Sequence, residues 1–256
     1  MPREVPKYHA VVLQPRQYKY AVIVCALNEG ERLIRQLTKM KANTAGLFDV
    51  IIADGPSTDG STEPNRLKEL GVHAVIVLEE RGGLSSSLRA SFAYVLEAGY
   101  SGAVIMDGHD KDDTEALHRF GKLLDDGLDF IQGSRFVPGG QAVNTPPRRT
   151  VLIRWIHAPY ISVLCGKRFT DTTNGFRGFS RRFLEDEKVA LFRKCFDQYE
   201  LPYYLAWAAC RYGFNVQEMP VTRAYPAAGP TPTKIIGFRG HWKMLKPLLM
   251  LLFRLY

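Results

Sequence analysis

Five short apolar runs recur along the first half of the chain, and each stops at a polar cluster. They are "YAVIVCA" from Tyr20, "DVIIAD" from Asp49, "HAVIVL" from His73, "GAVIMD" from Gly102 and "DFIQGSRF" from Asp129. Runs this short, rich in Val and Ile and apolar at consecutive positions, predict strands covered on both faces. Between them the period changes. Leu33, Leu37 and Met40 fall at helical spacing, as do Leu84, Leu88, Phe92, Val95 and Leu96, and again Leu117, Phe120 and Leu124. A polar helix is expected near residues 62–70. This alternation predicts an α/β fold, a doubly wound and mostly parallel sheet flanked by helices. Ligands of such sheets bind outside the carboxyl ends of the strands. The polar clusters stand there: Asn28-Glu29, Asp54 to Asp59, Asp107 to Asp113, and Gly133-Ser134-Arg135.

The second half loses the pattern. "FVPGGQAVNTPPRR" reads as a long loop, and Val151 to Cys165 is strongly apolar but interrupted by Arg154 and Pro159. "RFTDTTNGFRGFS", a helix near residues 201–212 and "NVQEMPVTRAYP" follow. The organisation predicted is a lead-in over residues 1–19, extended or loosely attached, one domain over 20–225 that divides near 136, and a basic and apolar segment over 226–256.

The 256 residues suffice for one large α/β domain or two small ones, with a real core. The net charge of +8 favours anionic partners. No nucleic-acid recognition motif accompanies it, so phosphate chemistry explains it better than nucleic acid does. Cys25, Cys165, Cys195 and Cys210 form no C-x-x-C pair and read as reduced thiols. With no apolar signal region at the start, a cytoplasmic protein is expected. "WKMLKPLLMLLFRLY" is too short to span a bilayer. It either lies in a membrane interface or packs on the domain. For Val151 to Cys165 a buried helix is expected.

Neither the dinucleotide G-x-G-x-x-G nor the P-loop pattern follows the first strand. Carboxylates at strand ends suggest instead a divalent cation that neutralises phosphates. Asp107, after four apolar residues, is the metal or substrate candidate. Asp112 stands three residues before Glu115, a capping-box spacing, so Asp112 and Asp113 are expected to open the next helix.

"VIVCALNEGERL", "VIIADGPSTDGS", "VIMDGHDKDD", "FIQGSRF" and "TDTTNGFRGFS" together resemble the family-two glycosyltransferases of the GT-A fold, and within them the dolichyl- or polyprenyl-phosphate sugar synthases. The likeness covers most of the chain, from about Tyr20 to Arg239, and implies a nucleotide-sugar half over 20–136, an acceptor half over 137–225 and an acceptor-side C-terminal extension. It implies that Asn28 and Glu29 line the nucleotide pocket and that Asp54 and Asp59 contact base and ribose, although Ala53 stands where the family's turn begins with aspartate. Asp107 matches the first acid of the metal-binding D-x-D, while His109 replaces the second and Asp110 follows it. Either His109 ligates a softer ion such as Mn²⁺, or Asp110 supplies an oxygen to Mg²⁺ or Mn²⁺, or one carboxylate and waters suffice. Arg135 and Arg177 match arginines that face an acceptor phosphate, with a structural ion pair as the alternative for each. Lys234 and Arg239 match a basic segment that folds over the donor diphosphate, with a solvated tail as the alternative.

The activity implied is inverting transfer of a sugar from a UDP, GDP or dTDP donor to a polyprenyl phosphate, at the cytoplasmic face of a membrane. A hydroxyl acceptor on a glycan or small molecule would instead need a carboxylate base. Asp171 and Glu200 are the candidates, Asp171 with the alternative of anchoring its own loop. A non-catalytic nucleotide-sugar binding protein is the remaining alternative.

Overall fold

The computed structural model describes residues 3–44, 46–80, 82–227 and 246–253. Strand β1 (Tyr8–Val12) precedes β2 (Tyr20–Ala26), α1 (Glu31–Asn43), β3 (Phe48–Asp54), α2 (Pro64–Glu69), β4 (Val72–Leu78), α3 (Leu84–Glu97), β5 (Gly102–Asp107), α4 (Ala116–Asp125) and β6 (Phe130–Ser134). The second half adds β7 (Gln141–Val143), α5 (Pro147–Leu152), a π-helical segment (Ile153–His157), α6 (Ala158–Cys165), β8 (Arg177–Ser180), α7 (Arg181–Glu185), α8 (Glu200–Arg211), β9 (Val216–Pro220) and β10 (Thr222–Ala224). Residues 246–252 are helical.

Eight strands form one sheet in the order β1-β4-β3-β2-β5-β8-β6-β9. β2 pairs in parallel with β3 and β5, and β3 with β4, which is the doubly wound half that the apolar runs predict. β8 lies antiparallel between β5 and β6. The lead-in is not loose: β1 pairs antiparallel with β4 and closes that edge of the sheet.

Each face of the sheet has its own apolar layer. Leu33, Leu37 and Met40 of α1 pack with Leu117 and Phe120 of α4 on one side. Leu88, Phe92 and Leu96 of α3 pack with Phe179, Phe183 and Leu205 on the other. A fully buried side chain of this size contributes roughly 1.5–3 kcal/mol, so these two layers fix the strand ends that carry the polar clusters.

The apolar segment departs from its expected burial. Val151, Leu152, Trp155, Ile156 and Val163 are exposed, Trp155 at 75% and Val163 at 82%. Ile153, Ala158 and Ile161 of this stretch are buried, and Tyr160, Leu164 and Cys165 pack half-buried against the core. In the C-terminal segment Leu248 and Leu251 join the core while Leu249, Leu252 and Phe253 face out.

Candidate functional site

A cavity of about 1230 Å³ opens at the carboxyl ends of β2, β3 and β5. Ala26 and Glu29, Ala53 and Gly55, and Met106 and Asp107 form its sheet side. Arg148, Arg149, Ile156 and His157 from the α5–α6 stretch, Arg177 of β8 and Tyr203 of α8 form the other. It has room for a ligand beyond the usual drug-sized pocket of about 300–1,000 Å³.

Parallel pairing sets the floor. Cys25 of β2 stands opposite Asp107 of β5, so the loops that follow these strands run side by side. Glu29 and His109 therefore meet: Glu29 Oε2 is 2.5 Å from His109 Nδ1 and also accepts from Arg32 at 3.3 Å. The loop before β8 approaches so closely that a Cβ on Gly175 would stand 3.2 Å from Asp107 Oδ1. Asp107 Oδ2 accepts a hydrogen bond from Arg223 Nη2 at 2.5 Å. Burial opposes ionisation of Asp107, but the Arg223 guanidinium holds its carboxyl well below the usual range.

Arg223 lies on β10 and is itself buried. Its Nη1 donates to both oxygens of Asp112, at 2.6 and 2.9 Å. That corrects the expectation for Asp112, which anchors an arginine and does not open α4. Asp113 Oδ1 accepts from the Glu115 amide in the turn that leads into α4, where Glu115 is the N-cap residue and no side chain caps the helix. Lys111 lines the cavity beside Asp107, and burial first, then repulsion from Arg223, pulls its pKa down to about 8.

Several residues proposed for the pocket spend their side chains on the frame. The Asn28 side-chain oxygen accepts from the Thr58 amide, Asp54 from the amide and hydroxyl of Ser57, and Asp59 from the amides of Gly30 and Ser61. These bonds knit the loops after β2 and β3 together, and none of the three lines the cavity. Asp110 has φ +55 and turns toward α1, where Arg35 and Lys39 bind it.

The two expected acceptor arginines part company. Arg135 and Asp171 form a two-pronged pair, Nε to Oδ2 at 2.6 Å and Nη2 to Oδ1 at 2.9 Å, with both side chains buried. Burial would raise the Asp171 carboxyl, but the hydrogen bonds and charge of Arg135 hold it below its usual value. Asp171 is thus a loop anchor, not a free base. Glu200 likewise accepts from the amides of Asp197 and Gln198 at the start of α8 and lies off the cavity. Arg177 lines the cavity at 2% exposure, yet it hydrogen-bonds to three carbonyls, those of Thr172, Asn174 and Pro202. Among the described residues no carboxylate hydrogen-bonds to it, and burial pulls its pKa down to about 10, so it stays protonated at neutral pH. Lys234 and Arg239 lie outside the described residues.

Sequence reasoning missed Lys111, Arg223 and His157. His157 ends the π-helical segment, a feature frequent at functional sites, and its Nδ1 is 2.6 Å from Thr172 Oγ1. Burial, then the charge of Arg177, lowers its pKa to about 4, so the ring is neutral at pH 7. Only the helical period around Trp155 and the lone arginine in "PVTRAYP" could have pointed to them.

The donor set does not fit a divalent cation as it stands. His109 and Asp110 are committed to Glu29 and to α1, and Asp107 faces a guanidinium. Among the described residues no three His, Cys, Asp or Glu side chains converge as ligands. The cavity lining holds five cationic side chains, Lys111, Arg148, Arg149, Arg177 and Arg223, against the carboxylates of Glu29 and Asp107. A cavity at the strand ends with that balance is built for a multiply charged anion.

Comparison with known proteins gives this class a family. The profile of Glycosyl transferase family 2 matches residues 21–187, and the chain belongs to that family. It is 32% identical over 210 residues to the polyprenol monophosphomannose synthase of Mycolicibacterium smegmatis, covering 78% of this chain and 76% of that one. It is 28% identical over 203 residues to the undecaprenyl-phosphate mannosyltransferase of Micrococcus luteus, covering 78% and 81%. Its fold is similar to that of glucosyl-3-phosphoglycerate synthase from Mycobacterium tuberculosis, solved with Mn²⁺, UDP and glucosyl-3-phosphoglycerate. The TM-score is 0.63 and the identity 16%, over 91% of this chain and 79% of that one. The architecture is the GT-A fold, and the protein is a glycosyltransferase.

Proposed function

We propose that this enzyme transfers a hexosyl group from a nucleoside-diphosphate sugar (UDP, GDP or dTDP) to a polyprenyl phosphate, with inversion. The observation that carries the reading is Arg177. A buried cation is costly unless an anion pairs with it, and Arg177 faces the cavity with carbonyls alone as hydrogen-bond partners among the described residues. A guanidinium in that state suits a phosphate, which it binds by two parallel hydrogen bonds. Arg148 and Arg149 stand on the same wall.

The donor lies along the sheet side, and its diphosphate meets the cations near Asp107. An acceptor phosphate oxygen attacks the anomeric carbon while the bond to the donor diphosphate breaks on the opposite face. The products are a lipid-linked sugar phosphodiester and a nucleoside diphosphate. A phosphate monoester is already largely ionised near neutral pH, its second pKa being about 6, so no general base is required. That agrees with Asp171 and Glu200 being committed to the frame. Neutral His157 hydrogen-bonds to Thr172 and lies close enough to Arg177 to feel its charge.

The relatives' names point to a lipid-linked acceptor, and the exposed apolar helix suits one. Leu152 and Ile156 are exposed and also line the cavity. Arg148, Arg154 and Arg168 flank them on the surface. An amphipathic helix with basic flanks docks in the interface of an anionic membrane. The contact proposed is peripheral; among the described residues no helix is long and apolar enough to cross a bilayer.

The test is release of nucleoside diphosphate from UDP-, GDP- and dTDP-sugars, with Mg²⁺ and Mn²⁺ present, with and without a short polyprenyl phosphate. The expected result is turnover with one donor, stimulated by the lipid. Turnover indifferent to the lipid but raised by a sugar hydroxyl would replace this reading.

A further inference from the structure

We propose that Arg223 and Lys111 take the place of a divalent cation on the donor diphosphate, so that donor binding and transfer proceed without metal; this rests on the nucleoside-diphosphate reading above. Two unit charges equal the charge of one such ion. Hard divalent ions hold oxygen ligands at about 2.0–2.6 Å. Arg223 Nη2 already stands 2.5 Å from Asp107 Oδ2, and the loop at Gly175 crowds Oδ1. An ion at Asp107 would have to displace the guanidinium.

Arg223 is not loose. Both oxygens of Asp112 and the side-chain oxygen of Asn174, at 3.2 Å, hold its Nη1. The backbone also ties the two cations together. The Ala224 amide donates to the Lys111 carbonyl at 2.8 Å, and the Asp113 amide to the Thr222 carbonyl at 3.1 Å. An isolated bridge joins Asp112 to Arg223. The strand that carries Arg223 is thus sewn to the segment that carries Lys111, and both side chains line the cavity. The rest of the expected metal site is spent elsewhere, His109 on Glu29 and Asp110 on Arg35 and Lys39.

The step balances without an ion. As the bond from the anomeric carbon to oxygen breaks, its electron pair stays on the β-phosphate oxygen. Arg223 and Lys111 meet that growing charge with charge-assisted hydrogen bonds, already oriented before the reaction begins. Asp112 balances the buried arginine in the free enzyme, so it need not swing in from solvent.

The test is calorimetric titration of the full chain with UDP, GDP and dTDP, in EDTA and again with Mn²⁺ or Mg²⁺, beside sugar transfer in the same buffers. Expected is binding of one nucleotide with Kd equal within about threefold across the arms, and transfer that survives EDTA. Lys111→Gln should weaken that binding in EDTA by about tenfold or more. Arg223→Met strips buried Asp112 and half-buried Asp107 of their partner and can unfold the chain, so the Lys111 variant is the one read. Binding or transfer lost in EDTA and restored by either ion overturns the proposal and leaves the donor reading intact. Unchanged affinity in a folded Lys111→Gln also overturns it. Failure of all three nucleotides in every arm overturns the donor reading, and the proposal with it.

Discussion

Arg135 and Arg177 flank the same loop and are equally hidden from solvent, yet they are opposite kinds of residue. Arg135 is closed off by Asp171, two prongs on two oxygens. Arg177 has only carbonyls as hydrogen-bond partners among the described residues, and a cavity in front of it. Arg135, off the cavity and cancelled by Asp171, holds the fold together. Arg177, on the cavity with no carboxylate hydrogen-bonded to it among the described residues, is open to a ligand. Burial does not separate these two; the partner and the cavity do.

The largest expected effect breaks the first half of that comparison. Asp171→Ala leaves Arg135 charged and unpaired in the interior, which costs about 3–5 kcal/mol. The denaturant midpoint should fall accordingly, and adding Arg135→Met should recover part of the loss. Arg177→Met removes no carboxylate's partner. It should cost less stability, about 1–3 kcal/mol for the carbonyls it leaves, while kcat/KM for the polyprenyl acceptor drops about a hundredfold or more. Equal stability losses in the two variants would erase the distinction.

His157 reads the balance between the two sites. Burial and the charge of Arg177 push its pKa down to about 4, and Asp171 pulls the other way. The unfolded chain carries a histidine near 6.5, so between pH 6.5 and 4 the unfolded state binds more protons. The stability that neutral His157 supports is therefore complete above pH 6.5 and is lost as the pH falls toward 4, by about 3 kcal/mol at most. Histidine titration by NMR should find this ring deprotonated at pH 5.5, and its pKa should rise in Arg177→Met. A normal titration near 6.5 in the wild type would mean that the ring is not buried against Arg177.

A smaller effect concerns the leftover charge directly. Inorganic pyrophosphate at ten times its Kd stabilises a folded protein by about 1.4 kcal/mol. For a chain of this length that raises Tm by roughly 3–5 °C. Arg177→Met and Lys111→Gln should each shrink the shift. A shift of the same size in both would place the anion outside the cavity.

How much of this was legible in the sequence follows from what each kind of structure requires of a side chain. Strands buried on both faces must be apolar at every position, so β2, β3, β4 and β5 stand out in the raw sequence. β1 did not, because an edge strand with exposed positions at His9 and Ala10 carries no such run. Nor did β8, whose four residues "RGFS" include a glycine and an arginine. At the site, position along a strand located Asp107 and Glu29, since carboxyl ends of parallel strands face the ligand whatever their sequence. Direction was not legible. Asn28 and Asp110 sit in left-handed backbone, at φ +52 and +55, which swings their side chains off the cavity. Asp171 and Glu200 look like bases by residue type, and only their partners reveal otherwise. Arg223 meets Asp107 and Asp112 from a strand at the far end of the chain, a pairing that no local pattern carries.

The smallest change in stability is expected where exposure is greatest. Arg177 of β8 lines the cavity, whereas Trp155 of the π-helical segment lies on the outer surface, 75% exposed. Truncation there removes little packing, so Trp155→Ala should alter the unfolding free energy by no more than about 0.5 kcal/mol. What it removes is apolar area that a membrane interface would cover, worth about 1.5–3 kcal/mol for a large side chain moved out of water. Partition onto phosphatidylglycerol vesicles should therefore fall roughly tenfold or more. Raised salt should weaken the binding that remains, because Arg148, Arg154 and Arg168 contribute through screened attraction. Turnover on a short, water-soluble polyprenyl phosphate should be spared, since the indole does not line the cavity. If Trp155→Ala cost as much stability as Asp171→Ala, the helix would be part of the folded core, and its apolar face would need no lipid to explain it.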